Sequence, residues 1–127
     1  MVTFAFVFSA CQKDEGRTTN NRANTQEEDF KILASKLDEL KVLSESVTCT
    51  DSSEWKHTPY GNKACGGPQG YLPYSTSIDT IAFLQKITAY KGLEDSLNQK
   101  WGIISDCSFM LPPNAIECID GKAVLKW

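Results

Sequence analysis

Five cysteines and a single histidine are the residues of this 127-residue chain that could do chemistry beyond simple charge. A cysteine nucleophile needs a base beside it to become a thiolate. The only histidine, His57, stands between Trp55-Lys56 and Thr58, with no cysteine near it in sequence. Cys49, Cys65, Cys107 and Cys118 form no close C-x-x-C pair, so a structural zinc site is not expected. No serine is framed as G-x-S-x-G, and there is no H-E-x-x-H, P-loop or dinucleotide-binding glycine motif. Asp106 and Glu117 are too isolated to nominate as a carboxylate pair. The expectation is a protein that is not an enzyme and carries no cofactor and no metal.

The fifth cysteine, Cys11, has different surroundings. The first fifteen residues read MVTFAFVFSACQKDE: an apolar run, the small pair Ser9-Ala10, then Cys11 and an abrupt switch to polar residues. This resembles a bacterial lipoprotein signal, although no Lys or Arg precedes the apolar run. The resemblance implies that residues 1–10 are a signal peptide and that Cys11 is acylated, with palmitate among the chains that hold the protein on a membrane. At about ten residues the run is too short to span a bilayer, which takes roughly twenty, and it is set aside from fold reasoning. Cys11-Gln12-Lys13-Asp14-Glu15 also resembles the export signal of surface lipoproteins of the Bacteroidetes group. That implies an outer-membrane, lipid-anchored protein exposed at the cell surface. With Cys11 acylated, four cysteines remain, enough for two disulfides in an oxidising compartment. Of the three connectivities, the sequence favours Cys49–Cys65 and Cys107–Cys118, because short loops close most readily.

Residues 12–29 hold one apolar side chain, Ala23, among polar and charged residues. Such a segment cannot bury enough surface to offset its entropy and should be disordered. Residues 11–25 are therefore assigned as a lipid-anchored tether, and 26–127 as one small domain. A flexible chain over residues 12–29 reaches about 23 Å on average. The chain carries 13 Lys and Arg against 16 Asp and Glu, net charge −3, which argues against a nucleic-acid groove.

Within the domain, a helix is predicted near residues 26–46. Thr25 and Glu28 fit a capping box, and Phe30, Leu33, Leu37, Leu40 and Leu43 recur at helical spacing. A second helix is predicted over 77–101, with Thr76 and Asp79 as its capping box and Gly102 as its stop. Its apolar stripe is read as Ile81, Leu84, Ile87, Tyr90, Leu97 and Trp101, with a kink or a close helix contact expected at Gly92. Ala115–Ile119 and Lys122–Trp127 read as strands joined by Asp120-Gly121, a strong hairpin turn. Val47 to Thr50 is a candidate third strand. The fold class is α+β: two helices packed on a small antiparallel sheet with a C-terminal hairpin, stapled by two disulfides.

Between the helices, Thr50 to Ser75 reads as a long loop rich in glycine, proline and large aromatics. Such loops are uncommon in compact domains and often functional. Trp55, Tyr60, Tyr71 and Tyr74 are the candidate ligand-binding residues, since rings beside amide side chains suit glycan or peptide recognition. This supports a non-catalytic binding module for a glycan, a peptide or an envelope protein. The alternative is a protease inhibitor presenting a disulfide-stapled loop around Cys65, with Lys63 in the protease's specificity pocket.

Lys63-Ala64-Cys65-Gly66-Gly67-Pro68, Tyr71, Tyr74-Ser75, Ser105-Asp106-Cys107, Pro112-Pro113 and Cys118 together resemble a group of small exported bacterial proteins of unknown function. The likeness covers about residues 49–121. Members end in Gly-x-Cys; here Ala123 follows Gly121-Lys122. The resemblance implies an exported cysteine-containing domain and supplies no activity.

Overall fold

A computed structural model describes residues 23–127. The expected signal peptide, Cys11 and most of the expected tether lie outside the described residues. The elements run α1 (Gln26–Ser44), β1 (Trp55–Tyr60), β2 (Gly70–Ser75), α2 (Thr80–Trp101), β3 (Ala115–Ile119) and β4 (Lys122–Lys126). The fold is α+β, with two helices and two separate two-stranded antiparallel sheets, β1–β2 and β3–β4.

The first helix starts where its capping box requires. Thr25 Oγ1 accepts from the Glu28 N–H at 3.2 Å, and the Glu28 carboxylate accepts from the Thr25 N–H at 2.8 Å. Residues 26–29, expected within the disordered stretch, form the first turn of α1 instead, and Asp29 is buried. Leu33 and Leu40 enter the core, with Phe30, Leu37 and Leu43 packed against it.

The second helix departs from expectation in three ways. It begins at Thr80, with Asp79 as its N-cap accepting from the Ala82 N–H. Thr76 takes no part in that cap, because its hydroxyl donates to the Glu54 carbonyl. The buried stripe is Phe83, Ile87, Tyr90, Glu94 and Leu97, whereas Ile81 and Leu84 face solvent. The helix runs through Gly92, where an added Cβ would meet open space. Gly102, left-handed at φ 59°, ends it as expected.

The expected loop over Thr50–Ser75 is instead a hairpin. β1 and β2 pair in register from Trp55 opposite Ser75 to Tyr60 opposite Gly70. Pro59 and Pro73 hid it. Both fall in the same alternate class of the ladder, opposite Tyr71 and His57. In that class the N–H points away from the partner strand, so proline loses nothing there. One face of the hairpin, with Thr58, Tyr60, Leu72 and Tyr74, packs on the helices around Phe83, the most buried large side chain. The opposite face, with Trp55 and His57, looks toward Asn114, Ala115 and Ile116.

The C-terminal hairpin is as expected. Asp120 and Gly121 sit at φ 51° and 77°, the two positive values of the tight turn whose twist matches the strands. Val47–Thr50 adds no strand; Cys49 instead donates its N–H to the Gly121 carbonyl at 2.8 Å.

All four domain cysteines are paired, but not in the favoured pattern. The bridges are Cys49–Cys118 and Cys65–Cys107, one nested inside the other. Loop length is a weak guide, because doubling a loop costs only about 0.6 kcal/mol. Which elements lie side by side decides the pairing.

Candidate functional site

The four aromatic residues nominated as a binding surface do not form an open one. Trp55 and Tyr74 are buried, at 7% exposure each, and Tyr60 and Tyr71 are half-buried. Tyr74 packs on Phe83 with ring centroids 5.1 Å apart, and Tyr60 meets Tyr90 edge-on at 6.2 Å. Tyr60 also folds across Gly70, where a Cβ would come within 2.9 Å of its ring. Three of the rings thus serve the interior. Tyr71 reaches outward: its hydroxyl donates to the Met110 carbonyl at 3.3 Å. His57 lies against Tyr71 at 5.9 Å, with Nδ1 buried and unpartnered.

Met110 belongs to the irregular segment that runs from the end of α2 to β3, residues 103–114. This strap crosses the surface and is fastened along its length. Cys107 is bonded to Cys65. The Cys65 N–H donates to Ser105 Oγ at 3.0 Å. Lys63 Nζ reaches Asp106 Oδ1 at 2.9 Å and the Ser108 carbonyl at 3.3 Å. Trp127 Nε1 donates to the Leu111 carbonyl at 2.8 Å, and the Asn114 N–H to the Lys126 carbonyl at 2.7 Å. Asp106 is shaped by the same contacts: hydrogen bonds from Ser108 first, then Lys63, hold its carboxyl down at about 2. Lys63, expected as a residue offered to a partner, is spent on this fastening, with its side chain only 15% exposed.

The strap's side chains point the other way. Ile104 is 94% exposed, Phe109 71% and Leu111 66%. Apolar groups of this size in a short loop normally turn inward; here the backbone is pinned and they remain in water. From this segment the sequence reading singled out only Ser105-Asp106-Cys107 and Pro112-Pro113, and none of its apolar residues. The available signal was the position of Phe109-Met110-Leu111 between Cys107 and Pro112-Pro113, outside any periodic element.

Two buried acids position the frame beneath. Asp29, in the buried stripe of α1, accepts from Lys100 Nζ at 2.6 Å, Trp101 Nε1 at 3.0 Å and Asn24 Nδ2 at 3.0 Å. These partners, Lys100 foremost, hold its carboxyl below the ordinary value. The latch ties the start of α1 to the end of α2, where the strap begins. Glu94 takes an apolar position in the stripe of α2 and accepts from the Asn62 N–H. Asn98 Nδ2 donates to the Asn62 carbonyl at 2.9 Å, so the turn after β1 is fixed to α2. Burial, and then the Glu94 charge, push the Tyr90 hydroxyl up to about 12.

The surface recesses run from about 210 to about 530 Å³. One of about 210 Å³ lies between the helices, lined by Lys36, Leu40, Tyr90 and Leu93, and gathers few polar groups. Among the described residues no three His, Cys, Asp or Glu side chains converge as a metal site, and no helix is long and apolar enough to cross a membrane. No family model matches the chain, and no curated protein or solved structure resembles it.

Proposed function

We propose that this protein is a lipid-anchored, non-catalytic binding module of a bacterial outer membrane, and that the strap over residues 103–114 meets its partner. One observation carries the reading: large apolar side chains stay in water on a backbone held by a disulfide, an ion pair and two side-chain hydrogen bonds. A surface fixed in its bound shape loses little entropy on binding, and exposed apolar groups gathered together mark interaction sites. The partner is a protein or peptide. A glycan would need exposed rings beside amides, and of the four rings on the β1–β2 hairpin Trp55, Tyr60 and Tyr74 are withdrawn into the fold while Tyr71 is engaged by the strap. Anchoring rests on the resemblance of the first fifteen residues to a lipoprotein signal.

Photo-crosslinking residues placed at positions 104, 109 and 111 should trap a protein in intact cells. The same residues at exposed positions 42 and 81, on the helices, should not. Equal yields at both sets, or none from the strap, would remove the strap from the reading. Cys11→Ser should move the protein from the membrane to the soluble fraction; continued sedimentation in high salt would remove the anchor.

A further inference from the structure

We infer that the partner is a serine protease with a deep apolar specificity pocket, that Phe109 is the side chain filling it, and that the protein therefore acts as an inhibitor. This deepens the strap reading and rests on it.

A protease recognises an extended segment by pairing with its backbone and taking one side chain into a pocket. The residue at the point of attack must offer a free carbonyl, since that oxygen enters the oxyanion hole. Within the stretch 108–111, one residue keeps that carbonyl free. The Ser108 N–H is taken by Asp106 and its carbonyl by Lys63. The Met110 carbonyl is taken by Tyr71 and the Leu111 carbonyl by Trp127. Leu111 is also followed by Pro112, whose imide nitrogen has no hydrogen to pair. Among the described residues nothing hydrogen-bonds to the N–H or carbonyl of Phe109. Its ring is 71% exposed and lies beside Gly67, at the far side of the same disulfide.

Both flanks of that residue are held. Cys107, two residues before, is bonded to Cys65; Met110, immediately after, is held through Tyr71. The protease serine oxygen can bond to the Phe109 carbonyl carbon, with its proton passing by way of the protease histidine to the departing Met110 nitrogen. That nitrogen stays in place because its residue is fastened. Its return to the carbonyl carbon expels the serine oxygen, restores the peptide bond and hands the proton back. Attack reverses faster than water completes it, and the protease remains occupied.

The full chain is to be titrated against chymotrypsin and subtilisin, whose pockets are apolar, and against trypsin, whose pocket carries an aspartate. The expected result is stoichiometric inhibition of at least one of the first two and none of trypsin. Phe109→Ala should weaken inhibition about 100-fold or more, as loss of a central aromatic anchor does. Phe109→Lys should transfer inhibition to trypsin, while Ile81→Ala on the exposed face of α2 should change nothing. Prolonged incubation should yield chain cut after Phe109 that stays one species until reduced, because Cys49–Cys118 joins the two pieces. Rapid cutting without inhibition, inhibition indifferent to Phe109→Ala, or no effect on either apolar-pocket protease would overturn the inference. If crosslinks still form from position 109 in that event, the strap reading stands and only the protease falls.

Discussion

At the scale of single residues, two buried acids do work that hydrophobic periodicity cannot announce. Asp29 and Glu94 each occupy a position in an otherwise apolar stripe; Asp29 receives Lys100 and Trp101 from the far end of α2, and Glu94 receives the Asn62 N–H from the turn after β1. Asp29 has a folded pKa below its ordinary value of 3.8. Its contribution is therefore fully present above that value and is lost as pH falls through the lowered folded pKa. Asp106, held at about 2, behaves in the same sense. The thermal midpoint should fall as pH drops from 4 toward 2, and Asp29→Asn should flatten that fall in a melting series across the window. Glu94→Ala should leave the Asn62 N–H and the Tyr90 hydroxyl short of an acceptor, at a cost of about 1–3 kcal/mol by denaturant titration. Glu94→Gln, which keeps an acceptor, should cost less. It should also let Tyr90 titrate closer to 10, a change readable by ultraviolet absorbance, since the Glu94 charge is one cause of its raised value.

At the scale of elements, the signals that survived were local and chemical. Thr25 with Glu28, Gly102, and Asp120-Gly121 each fix a boundary through their own backbone geometry, and each boundary is where the residues place it. The β1–β2 hairpin was illegible for a physical reason. Its prolines look like breakers, and only the register shows that both sit where no ladder N–H is needed. The stripe of α2 was misread at its start because Ile81 and Leu84 look apolar enough to be core, whereas Phe83 takes the interior position. The four candidate rings were legible as important, but their role as interior packing depended on a sheet the composition concealed. Two glycines separate the elements' needs. Gly92→Ala, in open space within α2, should stabilise the fold by about 1 kcal/mol. Gly61→Ala should destabilise it, because Gly61 has φ +76° and its Cβ would meet Gln69 and the Glu94 carboxylate at 2.8 Å. Chemical denaturation of both variants tests the contrast in sign.

At the scale of the whole molecule, the two bridges close loops with sequence separations of 69 and 42 residues. Chain-entropy reasoning gives each about 4 kcal/mol. Replacing either pair by serines should lower stability by an amount of that order, and the intact, unreduced domain should take up no thiol label. The bridges differ in exposure: Cys49 is buried, while Cys65 and Cys107 both lie open to solvent. A mild reductant should therefore open Cys65–Cys107 first, freeing the strap while the C-terminal hairpin stays tied, and peptide mapping after partial reduction should recover label at those two residues.

The nesting of the bridges has a mechanical side. Everything from Cys49 to Cys118 lies within covalent rings, and α1 lies wholly outside them. Tension entering through the N-terminal segment, with the strap held by a partner, reaches α1 before it reaches any bridge. The Asp29–Lys100 and Asp29–Trp101 bonds are first in its path. Once they part, α1 can peel away and lengthen; its 19 residues amount to about 65 Å of extended chain. The remainder stays tied at Cys49 within its covalent rings, although it gives up Leu33 and Leu40 from the core. Pulling should therefore lengthen α1 first, while the two covalent rings cap how far the rest of the chain and the strap can extend.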